Sequence, residues 1–209
     1  MKIVVLDGYA TKGEDLDFDF LSAYGEVDYF DRTSPEDVLD RIVDADVVLL
    51  NKVALTRDIL RECKRLKLVS VLATGYNVVD VKAARKLGIT VCNVPYYSTT
   101  SVAQLTFAFI LHFASKISQH NQSVHNGDWH NSQDFSYTVG TLHELYGKTL
   151  GIIGYGSIGK RVGQIAKSFG MNLLIHNRTP FEGSVSREEV FKNADFVTLH
   201  CPLNDQSKL

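Results

Sequence analysis

A basic excess, long apolar runs and paired cysteines are all missing from this 209-residue chain, and each absence narrows what it can do. With 22 Lys and Arg against 24 Asp and Glu the net charge is −2, and no basic run marks a groove for a phosphate backbone, so no nucleic-acid partner is expected. No segment approaches the roughly 18 apolar residues of a membrane span. Residues 1–7 read as a short strand rather than a signal peptide, so the expectation is a cytoplasmic protein with no membrane partner. Cys63, Cys92 and Cys201 are odd in number, not closely paired, and sit in apolar surroundings, which reads as three reduced core residues. His120, His125 and His130 recur at five-residue spacing, which puts neighbours on different helical faces. With no acid or cysteine beside them they read as a solvated surface, and no metal is expected.

What is present is an ordinary globular composition, 44% hydrophobic and 22% charged, in a chain long enough for one or two domains. β-branched and apolar runs suggest strands at residues 3–6, 27–30, 47–50, 68–72 and 89–92. Between them lie helix signals. Ser34-Pro35-Glu36-Asp37 places a cap, a first-turn proline and two acids ahead of Val38, Leu39, Ile42 and Val43. Thr56 is a candidate cap for a helix carrying Ile59, Leu60, Cys63 and Leu66, and Gly88 ends another that carries Val81, Ala84 and Leu87. Such alternation predicts an α/β fold with a parallel sheet covered on both faces. Residues 101–120 are apolar nearly all round and predict one long helix buried between domains or subunits, followed by a polar surface excursion over 121–137.

The most restrictive stretch is Lys148-Thr-Leu-Gly-Ile-Ile-Gly154-Tyr-Gly156-Ser-Ile-Gly159-Lys160, an apolar strand running into a three-glycine turn that opens a helix. Gly154 suits the tight turn, Gly156 lets the backbone approach a pyrophosphate, and Gly159 lets helix and strand pack closely. The helix start offers unpaired N–H groups and a partial positive charge to an anion. A second strand over 172–177 completes the βαβ unit. Asn177 lies eighteen residues past Gly159, where an acid that binds the adenosine ribose is expected at about twenty. There is no acid; Asn177-Arg178-Thr179 stands there instead. An arginine suits a 2′-phosphate that an acid would repel, so the cofactor reads as NADP ahead of NAD, with Arg178 stacked on adenine or facing solvent as the alternatives.

Several segments together resemble the D-isomer-specific 2-hydroxyacid dehydrogenases, and within them the glycerate dehydrogenase/hydroxypyruvate reductase group. Besides the glycine turn they are Leu50-Asn-Lys-Val-Ala-Leu-Thr56, Ala73-Thr-Gly-Tyr-Asn-Val-Val-Asp80, Gly88-Ile-Thr-Val-Cys-Asn-Val-Pro-Tyr-Tyr-Ser-Thr-Thr-Ser-Val-Ala-Gln104, Gly127-Asp-Trp129 and Ala194-Asp-Phe-Val-Thr-Leu-His-Cys-Pro-Leu203. The resemblance implies two doubly wound, Rossmann-like parallel-sheet domains: a substrate domain over 1–98 and an NAD(P) domain over 99–209, the latter incomplete. It also implies a homodimer formed through the coenzyme domain. By the same resemblance Thr74, Gly75 and Tyr76 hold the substrate carboxylate, Val102 packs on the nicotinamide with Thr100 nearby, Ser157 and Ile158 touch the pyrophosphate, and Cys201 and Pro202 floor the adenosine pocket. His200 belongs to that pocket and is assigned no chemistry.

The implied reaction is hydride transfer between a nicotinamide cofactor and a small 2-keto/2-hydroxy acid, hydroxypyruvate/D-glycerate or glyoxylate/glycolate. Asn51-Lys52 resembles the group that handles unphosphorylated substrates. The family's catalytic arginine, histidine and glutamate follow the strand that reaches Leu203; neither Arg85 nor Arg161 matches that arginine, so no catalytic residue is assigned. Residues 1–209 then read as the front part of a dehydrogenase, inactive by themselves. A dinucleotide-sensing binding protein or corepressor on the same fold is the alternative. A methyltransferase would leave the whole first domain unexplained.

Overall fold

The computed structural model describes residues 1–12 and 17–202, so Leu203, the end of the last motif, lies outside the described residues. Two units emerge, Met1–Tyr97 and Ser98–Leu209. The first carries five strands, β1 (Lys2–Val5), β2 (Glu26–Tyr29), β3 (Val47–Leu50), β4 (Leu68–Val71) and β5 (Thr90–Asn93), all parallel in the order β2-β1-β3-β4-β5. Its helices are α1 (Val38–Ile42), α2 (Arg57–Glu62) and α3 (Val81–Lys86). Successive strand residues point to opposite faces, and both faces are buried. Val4, Leu6, Val48, Leu50, Val69 and Val71 join one core with the three helices, whereas Ile3, Val5 and Leu49 join another with Phe18 and Leu21. From β2 onward each connection steps the same way across the sheet, and right-handed crossovers therefore stack α1, α2 and α3 on one face. The β1–β2 connection steps the other way and covers the opposite face with a short 3₁₀ segment, Asp19–Ala23, where strand-helix alternation predicted a helix.

The caps explain the helix starts. Thr56 Oγ1 accepts from Ile59 N at 3.4 Å, and Asp80 Oδ1 accepts from Ala83 N at 2.9 Å. Ser34 departs from expectation: its hydroxyl meets Asp37 Oδ2 at 2.7 Å rather than a backbone N–H, and Pro35–Asp37 form a 3₁₀ turn before α1.

The second unit contains α4 (Thr99–Ser115), α5 (Ile117–His125), β6 (Thr149–Ile153), α6 (Ser157–Ser168), β7 (Asn172–His176), α7 (Arg187–Asn193) and β8 (Phe196–Leu199), with parallel strands in the order β7-β6-β8. Leu150 and Ile152 of β6 share a core with Ala103, Phe107 and Ile110 of α4 and Val162 and Ala166 of α6. The return crossover from β7 to β8 puts α7 on the other face. There Gly151 makes room for it: a Cβ at 151 would lie 2.5 Å from Val190 Cγ1.

The expected single helix over 101–120 is instead α4 and α5, separated by Lys116 at φ 49°. The returning chain explains the break, since His143 N donates to Ala114 O at 3.0 Å and so takes a carbonyl near the end of α4. One face of α4 is buried; Leu105, Phe109 and Phe113 form an exposed stripe on the other. Two further expectations change. Cys63 is buried, its thiol pushed up to about 11 by burial, but Cys92 and Cys201 are exposed. His120 is not a solvated residue: its Nδ1 meets Lys116 O at 3.0 Å and its Nε2 accepts from Val139 N at 3.1 Å, fastening the returning chain to α5. No cluster of metal-ligating side chains occurs among the described residues, nor is any helix there long and apolar enough to cross a membrane.

Candidate dinucleotide site

The turn after β6 is built so that one position alone is spare. Gly154 has φ 94°, and a Cβ there would lie 2.7 Å from His200 C and O, so both the backbone angle and the close approach of the β8 end require glycine. The turn is pinned from both neighbouring strands, by Gly154 N donating to His176 O at 2.9 Å and by His200 N donating to Ile153 O at 2.8 Å. At Gly159 a Cβ would lie 2.2 Å from Gly154 O, so this residue sets how near α6 lies to the turn. Gly156 differs. Its φ of −77° suits any residue, and a Cβ there would meet nothing within 4 Å. The fold leaves space at Gly156 that no packing requirement explains, and it leaves the first turn of α6, with Ser157 and Ile158, without a side-chain cap.

Gly154 and Gly156 line a cavity of about 430 Å³ together with Asn177, Arg178, Thr179, Cys201 and Pro202. Seven residues singled out from the sequence thus meet on one wall system. Thr100 and Val102, on the first turn of α4, are not among its lining residues, nor are Ser157, Ile158 and Gly159. Asn177 is occupied internally: its Oδ1 accepts from Tyr155 N at 3.1 Å and its Nδ2 donates to Thr179 O at 3.0 Å. One carboxamide therefore ties the glycine turn to the Arg178–Thr179 bend. His200 also lines the cavity; its Nε2 lies 2.9 Å from Thr198 Oγ1, and burial holds its pKa below the usual histidine value.

In the first unit, Thr74, Gly75 and Tyr76 follow β4 and are exposed. The bend is stitched to the end of β5, with Thr74 Oγ1 donating to Val94 O at 3.0 Å and Asn93 Nδ2 donating to Thr74 O at 2.9 Å. The backbone N–H groups of these three residues have no partner among the described residues, which leaves donors for an anion.

Residues 3–197 match the model of the D-isomer specific 2-hydroxyacid dehydrogenase catalytic domain. The chain belongs to this family. Hydroxypyruvate reductase of Blautia hydrogenotrophica is 44% identical over 213 residues, covering 97% of this chain and 66% of that protein. Glycerate dehydrogenase of Methylorubrum extorquens is 35% identical over 207 residues, covering 99% and 65% respectively. Among solved structures, an acyclic imino acid reductase in complex with NADPH and D-Arg shares the fold with a TM-score of 0.82 at 27% identity, over 99% of this chain and 67% of that one. The chain spans just under two thirds of the length of the two curated relatives.

Some residues of the site escaped sequence reasoning. Arg187 and Phe191 line the same cavity from α7, where the crossover to β8 places them, and His176 lines it from the end of β7. Asp7 is another. Its carboxylate accepts from Asn51 N at 2.7 Å and Lys52 N at 2.6 Å, holding the bend after β3, and it lines a cavity of about 570 Å³ with Tyr9, Arg32 and Lys52. An acid at the end of the first strand was the available signal.

Proposed function

We propose that this chain serves an oxidoreductase that transfers a hydride between a nicotinamide cofactor and a small 2-keto/2-hydroxy acid, hydroxypyruvate/D-glycerate or glyoxylate/glycolate. The observation that carries the reading is the space at Gly156 beside the uncapped start of α6, on the wall of a cavity that also holds Arg178 and Thr179. A pyrophosphate fits there because the turn offers N–H donors and no side chain. Gly154, Gly156, Ser157 and Ile158 would hold the pyrophosphate, Gly159 the helix, and Cys201 and Pro202 the adenosine; Thr100 and Val102 are the proposed neighbours of the nicotinamide. The cofactor, when bound, supplies the hydride. Residues 1–98 provide the substrate side, where the N–H groups of Thr74, Gly75 and Tyr76 orient the carboxylate. Reduction at C2 leaves an alkoxide that needs a positioned acid and a fixed positive charge, and none of the described residues is assigned either role.

NADPH is the preferred cofactor on this reading, since Arg178 and Thr179 stand where an acid would favour NADH, and Asn177 spends both polar ends on backbone groups. The partner copy in a homodimer covers the apolar stripe of Leu105, Phe109 and Phe113 on α4. The test is to express the full-length protein and follow nicotinamide absorbance with hydroxypyruvate and glyoxylate, using NADPH and NADH in turn. Turnover with NADPH is expected. Tight dinucleotide binding with no turnover of any 2-keto acid would replace this reading with a dinucleotide-sensing protein on the same fold.

A further inference from the structure

Arg187 occupies the first position of α7, where the positive end of the helix makes a cation unfavourable. Helix stability does not account for it. Ser186 already caps the helix by accepting from Glu189 N at 3.0 Å, and Glu188 and Glu189 supply the acids that a first turn favours. The one ion pair of Arg187 among the described residues is with its neighbour Glu188, Nε to Oε1 at 3.7 Å, with side chains 50% and 77% exposed; such a pair contributes little. What Arg187 does have is a place on the wall of a cavity that a second arginine also lines, Arg178, which makes no ion pair or hydrogen bond among the described residues. The lining contains two arginines, two histidines and no carboxylate. Two arginines at one cavity whose lining holds no carboxylate leave a place for a doubly charged anion.

The segment that joins the two arginines, from the Arg178 bend to the start of α7, is fixed to the end of β7 at both ends. At the near end, Asn177 Nδ2 holds Thr179 O. At the far end, Val185 N donates to Ile175 O at 2.8 Å and His176 Nδ1 donates to Val185 O at 3.1 Å, two residues before Arg187. These bonds tie the start of α7 to the strand that carries the Arg178 bend. One helical turn along, Phe191 presents an aromatic ring to the same cavity.

We propose that Arg187 is the second arm of a two-arginine clamp on the 2′-phosphate of NADPH, closing from α7 while Arg178 closes from the β7 bend; this rests on the NADPH reading above. A phosphomonoester carries about −1.5 to −2 charges at neutral pH, which one guanidinium does not balance. Phe191, on the same face of α7, packs on the adenosine and is blind to the phosphate.

The decisive measurement is a titration of the full-length protein, by calorimetry or fluorescence, with NADPH, NADH, adenosine 2′,5′-bisphosphate and AMP. Arg187→Ala is expected to weaken NADPH and the bisphosphate roughly 10-fold while leaving NADH and AMP within about 2-fold, and Arg187→Lys to recover part of the loss. Phe191→Ala should weaken all four ligands alike. If Arg187→Ala leaves the bisphosphate unchanged while Arg178→Ala weakens it, the second arm does not exist and the NADPH reading survives. Equal losses for NADPH and NADH in Arg187→Ala also overturn the clamp. Equal wild-type affinity for the bisphosphate and AMP overturns the NADPH reading itself.

Discussion

The sheets of the two units start alike and then treat the turn after their first strand in opposite ways. In each, the first strand lies inside its sheet and has its first N–H held by an acid that precedes a neighbouring strand: Lys2 N donates to Asp46 Oδ2 and Thr149 N to Asp195 Oδ2, both at 2.8 Å. At the other end of that strand the first unit supplies its own anion, the Asp7 carboxylate, which takes the N–H groups of Asn51 and Lys52. The second unit supplies none. Its turn is three glycines, and the N–H groups at the start of α6 stay uncapped. The same sheet end thus makes a self-satisfied structural turn in one place and, in the other, an open turn that is the proposed anion site, according to whether a carboxylate or a glycine follows the strand.

Substitutions can break this contrast. The largest effect is expected from Gly159→Val, which drives a side chain into Gly154 O; a loss of about 3 kcal/mol or more in the second unit should appear in denaturant unfolding, with the first unit unaffected. Gly156→Val should do the reverse. Its backbone angle is ordinary and its space open, so the fold should survive while dinucleotide affinity falls about 100-fold or more, read by titration alongside a melting curve. A melting temperature that drops as far as in Gly159→Val would refute the claim that this glycine serves a ligand. Arg178→Ala should weaken NADPH roughly 10- to 150-fold and barely alter NADH, the loss of one charge-assisted bond. Equal losses would mean that Arg178 stacks on adenine. Asp7→Ala should leave cofactor affinity intact and cost the first unit about 1–2 kcal/mol, because two backbone donors lose their acceptor.

How legible these features were depends on how far along the chain their causes lie. The parallel strands and the three glycines are local patterns, and each glycine's separate role follows from strand, turn and helix being contiguous. Thr56 acts as a cap within three residues of its own position. The misses have distant causes. The break at Lys116 accompanies a bond from His143 to Ala114, and His120 acquires its role from Val139, nineteen residues away. Arg187 reaches the cavity only because β8 pairs on the far side of β6 and carries α7 across the sheet. The exposure of Cys201 follows from its place at the rim beyond β8 rather than from its apolar sequence neighbours.

Gly151 points inward from the middle of β6, away from the cavity lining, yet it governs how deeply α7 seats, because Val190 Cγ1 and Ala194 Cβ lie 2.5 and 3.0 Å from where its side chain would begin. It acts as a shim. An alanine there would lift α7 by a fraction of an ångström and carry Arg187 with it, leaving Arg178 in place. If NADPH is held as proposed above, cofactor preference is adjustable from behind the sheet, and Gly151→Ala should erode NADPH selectivity, read as the ratio of NADPH to NADH affinity, without replacing any residue that lines the cavity.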